Sequence, residues 1–322
     1  MGKAMLAHHD RITALQATKE VIDLLQKRFK DKFFQDHSLA DYTTFKIGGP
    51  ASYFVECRNR DDIIDSVNLA HQSGIRYFVI GGGSNILVSD SGYHGLIIYI
   101  ANSELKIEAD HLLVDAGYNL ETLVDTMCNQ GLQGIETLAG IKGTVGGAVY
   151  GNAGAFGTSI ADSLTSAEIL KPGEEPRWED NNYFAFSYRN SILKKTREVV
   201  LRVKLGFERK PARELIAKQS EILALRETKH PGWDCSAGCF FKNIEAPDQP
   251  HGKLAAGYLL DKIGAKRLTI GGARVFENHA NILINSGQAK AEDVRKLAEM
   301  LKERVKNEFG YTLEEEITYL GD

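Results

Sequence analysis

Cysteine is scarce in this 322-residue chain, and the four present, Cys57, Cys128, Cys235 and Cys239, are unevenly spaced. They cannot form the disulfide framework of a small secreted protein, and such usage fits a reducing compartment, the cytoplasm. Charge of one sign is also lacking: 39 basic against 43 acidic side chains leave a formal net charge of -4 with no single-sign block, which argues against a phosphate-tracking nucleic-acid protein. Residues 1–30 carry Lys3, His8, His9, Asp10 and Arg11 where a secretory signal needs an apolar core, and no stretch approaches a membrane-spanning run, so no membrane role is expected. No Gly-x-Ser-x-Gly elbow supplies a hydrolase nucleophile. His230, Cys235 and Cys239 lie close together but lack the paired spacing of a zinc site, and no metal is expected. Internal repeats and low-complexity tracts are absent as well.

What remains is a globular pattern, 43% hydrophobic and 25% charged, long enough for two or three structural units. Ile12, Leu15, Val21, Leu24 and Leu25 recur at helical spacing between Asp10 and Lys30, which predicts an amphipathic leader helix in residues 1–35. Strands are expected at Ala51–Glu56, Arg76–Ile80, Leu96–Ile100 and Leu112–Val114, with helices at Asp61–Gln72 and Leu120–Asn129. Gly140–Gly157 is too rich in glycine for a simple core helix. Further strands are predicted at Ser166–Leu170 and Glu198–Phe207, and a helix at Pro211–Arg226 opens a new region, placing a boundary near Glu208. Beyond it come helices at Leu254–Ile263 and Ala291–Phe309, and strands at Asn281–Ile284 and Glu316–Leu320.

Three glycine clusters carry the chemical signal. Gly81-Gly82-Gly83-Ser84-Asn85 follows one apolar strand and precedes another, Ile86 to Val88. Glycines let backbone N–H groups approach a pyrophosphate, and Ser84 and Asn85 add side-chain hydrogen bonds. It is not a P-loop, since no Gly-Lys-Ser/Thr follows, nor the strand-to-helix dinucleotide fingerprint, since an extended segment follows. Taken alone it is equally a tight turn. Upstream, however, lies Tyr42-Thr43-Thr44-Phe45-Lys46-Ile47-Gly48-Gly49, and downstream lies Ala139-Gly140-Ile141-Lys142-Gly143-Thr144-Val145-Gly146-Gly147-Ala148, followed by Asn152-Ala153-Gly154-Ala155-Phe156-Gly157. Three such clusters suggest backbone surrounding a large nucleotide.

These motifs, in this order and with Ser187-Tyr188-Arg189-Asn190-Ser191 after them, resemble the UDP-N-acetylenolpyruvoylglucosamine reductases, from about Asp41 to Gly321. The resemblance implies an α+β protein of the vanillyl-alcohol-oxidase (PCMH-like) FAD-binding fold: FAD-binding subdomains at 36–101 and 102–208, and a substrate domain at 209–322 whose final strand returns Glu316 to the active site. It implies FAD and NADPH as cofactors and the enolpyruvyl ether of UDP-N-acetylglucosamine as substrate, reduced to UDP-N-acetylmuramate for peptidoglycan. A cytoplasmic monomer is expected. The compact stretch from Arg189 to Lys229 resembles the shorter, type II members, which lack an extra tyrosine-bearing loop.

Carried over residue by residue, the resemblance nominates FAD contacts at Tyr42, Thr44, Ile47, Gly81, Gly82, Gly83, Ser84, Asn85, Ala139, Gly140, Gly143, Thr144, Gly146, Gly147, Ala148, Asn152 and Gly154. Arg189 matches the arginine that meets the substrate carboxylate, and Glu316, in Leu313-Glu314-Glu315-Glu316-Ile317, matches the family glutamate. Hydride addition leaves negative charge beside that carboxylate, which a fixed cation and an acid stabilise, and a second acid must then protonate carbon. For this step the chain has Cys239, in Ser236-Ala237-Gly238-Cys239-Phe240-Phe241-Lys242-Asn243, where many members have serine. A thiol is the more willing acid of the two, so the step is expected to survive. Ile244 stands where proline often follows the asparagine. Tyr188, Asn243, His279 and Lys229, the last in Arg226-Glu227-Thr228-Lys229-His230-Pro231, are the expected substrate contacts. Two rivals are an FAD-dependent sugar or alcohol oxidase of the same fold, which would lack the Arg189, Cys239 and Glu316 set, and a nucleotide-binding module without chemistry.

Overall fold

The computed structural model describes residues 19–232, 235–248 and 252–321. The leader expectation therefore falls partly outside it, with Ile12 and Leu15. Residues 19–29 are helical, and Leu25 and Phe29 are fully buried in the main core.

The first sheet runs Phe33–Ser38, Pro50–Cys57, Tyr93–Ile100, Tyr77–Ile80. Its first pair is antiparallel and the other two are parallel. Parallel neighbours need a crossover. Arg60–Ser73 supplies the helix: Asn59 accepts from the Asp62 N–H at 2.9 Å to start it, and Gly74, at φ 68°, ends it in the left-handed conformation glycine favours. The second sheet is antiparallel throughout, in the order Arg177–Asp180, Leu164–Leu170, Val199–Gly206, His111–Asp115, Leu105–Ile107. Alternation along Val199–Gly206 buries one face. Glu168 ties the crossover helix to the second sheet, accepting from Arg60 at 2.8 and 3.0 Å and from Arg202 at 2.8 Å.

A helix, Val145–Gly151, does form inside the glycine-dense segment, contrary to the compositional expectation. Glycine is what permits it: a Cβ on Gly146 would lie 2.8 Å from the Ala116 Cβ, so the helix seats closer to its neighbour than alanine allows. Thr144 caps it by accepting from the Gly147 N–H, and Val145, Ala148 and Val149 are buried.

The helix Ala212–Glu227 buries Leu215 and Ile222 in the same core as the two sheets. A second apolar core belongs to the C-terminal region, a three-stranded sheet of Thr269–Ile270, Ala273–Phe276 and His279–Asn285 packed with the helices Ala256–Lys262 and Ala291–Phe309. On the long helix Val294, Leu297, Ala298, Leu301 and Val305 make one continuous buried stripe. Its first turn is capped from far away: Asp90 accepts from the Ala291 and Glu292 N–H groups at 2.9 and 3.2 Å. Phe45, Ile47 and Leu87, from the N-terminal half, also belong to this second core. The chain then returns, Thr318–Leu320 pairing in parallel with Ile86–Val88 beside the glycine loop. Among the described residues no helix is long and apolar enough to cross a membrane.

Candidate active site

The three glycine clusters meet. A Cβ on Gly83 would lie 1.9 Å from the Tyr42 carbonyl oxygen, one on Gly82 would lie 2.7 Å from the Gly143 Cα, and one on Gly81 would lie 2.3 Å from Thr144 Oγ1. At Gly82 and Gly83 backbone is thus pressed on backbone, and Gly83 also has φ 59°, so any side chain there is refused twice over. The N–H groups of Gly82, Gly83 and Ser84 find no protein acceptor among the described residues. Such unpaired donors on one turn suit the oxygens of a pyrophosphate. Asn152 adds an orphan of the other kind: its Nδ2 donates to the Ser187 carbonyl at 2.9 Å, while its buried Oδ1 has no donor and would accept from a ligand N–H. The cradle fits a dinucleotide.

Not every nominated FAD contact reaches the cradle by its side chain. Ile47, Ala139 and Ala148 are buried in the apolar cores, and the Tyr42 ring packs among His37, Phe54 and Tyr99 while its hydroxyl pairs with His37 at 2.9 Å. Gly154 uses its carbonyl to hold Arg189, and Thr44 turns its hydroxyl toward Ser236.

Arg189 sits on a tight turn in which Ser187 and Asn190 exchange backbone hydrogen bonds, both at 3.1 Å. Its own φ of 55° is uncommon for a residue with a side chain. Lys194 steadies the turn by donating to the Arg189 carbonyl at 2.7 Å. The guanidinium donates from Nη1 to the Gly154 carbonyl at 2.9 Å, and its Nε lies 2.8 Å from Glu316 Oε1. That approach is off the N–H axis, since the Nε proton has no aligned acceptor, so the contact is an ion pair with a donor left over. Of the three consecutive glutamates, Glu314 pairs with Lys242 and Glu315 with Lys302, which leaves Glu316 as the one facing Arg189.

Burial pushes the Glu316 carboxyl above the ordinary range, with Arg189 and Lys194 pulling against it. Burial also pushes the Cys239 thiol up to about 11, helped by Glu316 and opposed by Arg189 and Arg226. The thiol therefore keeps its proton at neutral pH, as an acid must. Because the thiolate is the alkylating form, iodoacetamide modification of the Cys239 peptide should rise with pH toward a midpoint near 11. A midpoint at the free-thiol value of about 8.5 would deny this environment.

The expected substrate contacts are only partly gathered. The Tyr188 ring lies beside Arg189, and Lys253 Nζ stands 3.2 Å from its centroid. His230 and His279 have ring centroids 6.0 Å apart; burial drives both down, His230 to about 4, so the pair is neutral beside exposed Lys229. Asn243 spends its amide oxygen on the Ala256 N–H at the start of a helix. Arg226 was not nominated from sequence. Its Nε is buried without an acceptor, its Cδ would meet a Cβ on Gly140 at 2.7 Å, and its charge reaches the Cys239 thiol. The only sequence signal was its place three residues before Lys229 in the quoted segment.

Residues 51–177 match the FAD binding domain family, which makes the protein that holds this glycine-lined cradle a flavoprotein. Residues 230–320 match the UDP-N-acetylenolpyruvoylglucosamine reductase C-terminal domain. The chain is 37% identical over 297 residues to the UDP-N-acetylenolpyruvoylglucosamine reductase of Solibacter usitatus (strain Ellin6076), covering 88% of this chain and 95% of the relative. It is 40% identical over 294 residues to that of Caldicellulosiruptor bescii, covering 90% and 91%. The crystal structure of UDP-N-acetylenolpyruvylglucosamine reductase from Thermus caldophilus superposes with a TM-score of 0.75 at 33% identity, covering 89% of this chain and 98% of that one. The protein belongs to the UDP-N-acetylenolpyruvoylglucosamine reductase family. FAD and NADPH are its cofactors, and the oxidase alternative is not favoured.

Proposed function

We propose that this chain reduces UDP-N-acetylglucosamine enolpyruvate to UDP-N-acetylmuramate with Arg189, Glu316 and Cys239 as its catalytic group. The convergence of these three side chains from segments far apart in sequence carries the reading. Bound FAD would supply, at NADPH's expense, the hydride that the enolpyruvyl double bond needs, and the residues of this chain would bind and orient the substrate for it. Arg189 meets the substrate carboxylate with planar donors and fixed charge that stabilise the developing enolate, and the Glu316 carboxylate holds that guanidinium in place. Cys239 gives its proton to the carbon beside the carboxylate, the second hydrogen of the addition, and regains one from solvent. Arg226 limits the cost of the thiolate left behind.

The cradle residues around 42–49, 81–85 and 139–154 hold FAD, largely through backbone N–H groups. Lys229, His279, Asn243 and Tyr188 receive the sugar nucleotide. The three groups lie in one chain, so a monomer suffices for the reaction, and the reducing-compartment cysteine usage supports the cytoplasm. The purified protein is expected to show a flavin spectrum that NADPH bleaches and the enolpyruvyl sugar nucleotide restores. A flavin bleached by NADPH but restored only by oxygen would sink the assignment.

A further inference from the structure

Thr44 was nominated as an FAD contact, yet its hydroxyl proton is committed elsewhere: Oγ1 donates to the Ser236 carbonyl at 2.6 Å, across 192 residues of sequence. Its backbone N–H donates to the Gly83 carbonyl at 3.2 Å. One residue therefore bridges the glycine loop and the loop that presents Cys239. That second loop is fastened to its own region at both ends. Asn285 N–H donates to the Cys235 carbonyl at 2.8 Å, and Phe240 N–H donates to the Asn281 carbonyl at 2.8 Å. Between these anchors, Ser236-Ala237-Gly238 has a local contact from the Gly238 N–H to Ser236 Oγ at 3.4 Å, and Gly238 is left-handed at φ 73°. The bond from Thr44 ties this span to the flavin-type half.

The circuit closes on the other side. Glu316 N–H donates to the Phe240 carbonyl at 2.8 Å, the Glu316 carbonyl accepts from Asn85 Nδ2 at 3.1 Å, and Thr318 N–H donates to the Asn85 carbonyl at 2.9 Å. The glycine loop, through Gly83 and Asn85, thus holds the backbones that carry both Cys239 and Glu316.

We infer that Thr44 is a positioning residue for the proton donor, fixing the height of Cys239 over the reacting carbon by its hydrogen bond to Ser236. This rests on the reading of Cys239 as the acid and deepens it. Valine keeps the shape of threonine and deletes the donor. Thr44→Val is expected to slow flavin reoxidation by the enolpyruvyl sugar nucleotide roughly 10- to 100-fold, the scale of an ångström-sized misplacement. Thr44→Ser should restore the rate to within about threefold, since it returns the hydrogen bond. A readout independent of turnover is alkylation of the thiols in the unreduced protein. With Thr44→Val the Cys239 midpoint should move down from about 11 as the loop loosens, while the buried Cys57, Cys128 and Cys235 stay unreactive.

A double-mutant cycle separates this inference from the reading beneath it. In a Cys239→Ala background, Thr44→Val should add no further slowing. If it adds the same slowing there, Thr44 acts by another route and the inference is overturned. Equal impairment by valine and serine, or general thiol exposure, overturns it too. If instead Cys239→Ala alone leaves reoxidation untouched, it is the assignment of the acid that has failed.

Discussion

Replacing Cys239 with alanine is expected to slow the substrate half-reaction by about 10³-fold, the contribution of a positioned general acid, while NADPH still bleaches the flavin. The asymmetry follows from where the proton is needed. Hydride transfer from NADPH to the cofactor involves no protonation of substrate carbon, so it has no use for the thiol. The second half-reaction does, and the thiol is protonated over the whole working range because burial and Glu316 hold it near 11. The rate of that half-reaction should accordingly be insensitive to Cys239 ionisation at neutral pH and fall only as pH rises through about 11. Cys239→Ser, which keeps a protonated group at the same place, should retain most of the activity. Stopped-flow absorbance of the flavin reads both halves separately, and an alanine variant that reoxidises at the parental rate would remove Cys239 from the mechanism.

Glu316→Gln is expected to slow reoxidation by substrate about 10²- to 10³-fold with ordinary FAD content, the scale of losing one preorganised electrostatic partner. Glutamine keeps the size and the backbone bonds to Phe240 and Asn85, so the strand entry survives. What is lost is the negative charge 2.8 Å from Arg189 that holds the guanidinium in place. The same substitution carries a signed electrostatic consequence. Glu316 raises the Cys239 thiol while Arg189 and Arg226 lower it. Without Glu316 the two cations act unopposed, and the Cys239 alkylation midpoint should fall below about 11. A normal reoxidation rate combined with an unmoved midpoint would show that Glu316 does not face the site.

Local signals were readable because their partners are local. The Leu120–Asn129 helix could be placed to the residue, with Asn119 capping Thr122 three positions on and an apolar stripe of Leu120, Leu123, Val124 and Met127. The Ala291–Phe309 helix was legible for the same reason, yet nothing nearby in sequence announced Asp90 as the residue bonded to its first turn. Glycine content misled where spacing mattered more than number: Gly146 faces Ala116, and the segment could be helical because of that glycine. In the candidate site, Arg189, Cys239 and Glu316 were nominated by resemblance; residue chemistry alone could not choose among Glu314, Glu315 and Glu316. Their lysine and arginine partners separate them. Arg226 and the second role of Thr44 escaped because each is defined by a neighbour brought in by the fold.

The pairing of Thr318–Leu320 with Ile86–Val88, and the bond between Asn85 and Glu316 across 231 positions, has a bearing on how the molecule is made. During synthesis the flavin-type half emerges first but lacks the strand that covers one of its own edges. That edge waits until the ribosome has produced the whole intervening polypeptide, and so long-range a closure is slow to find. Glu316 can meet Phe240 and Asn85 only after the end of the chain has been made, so these contacts are among the last to be set.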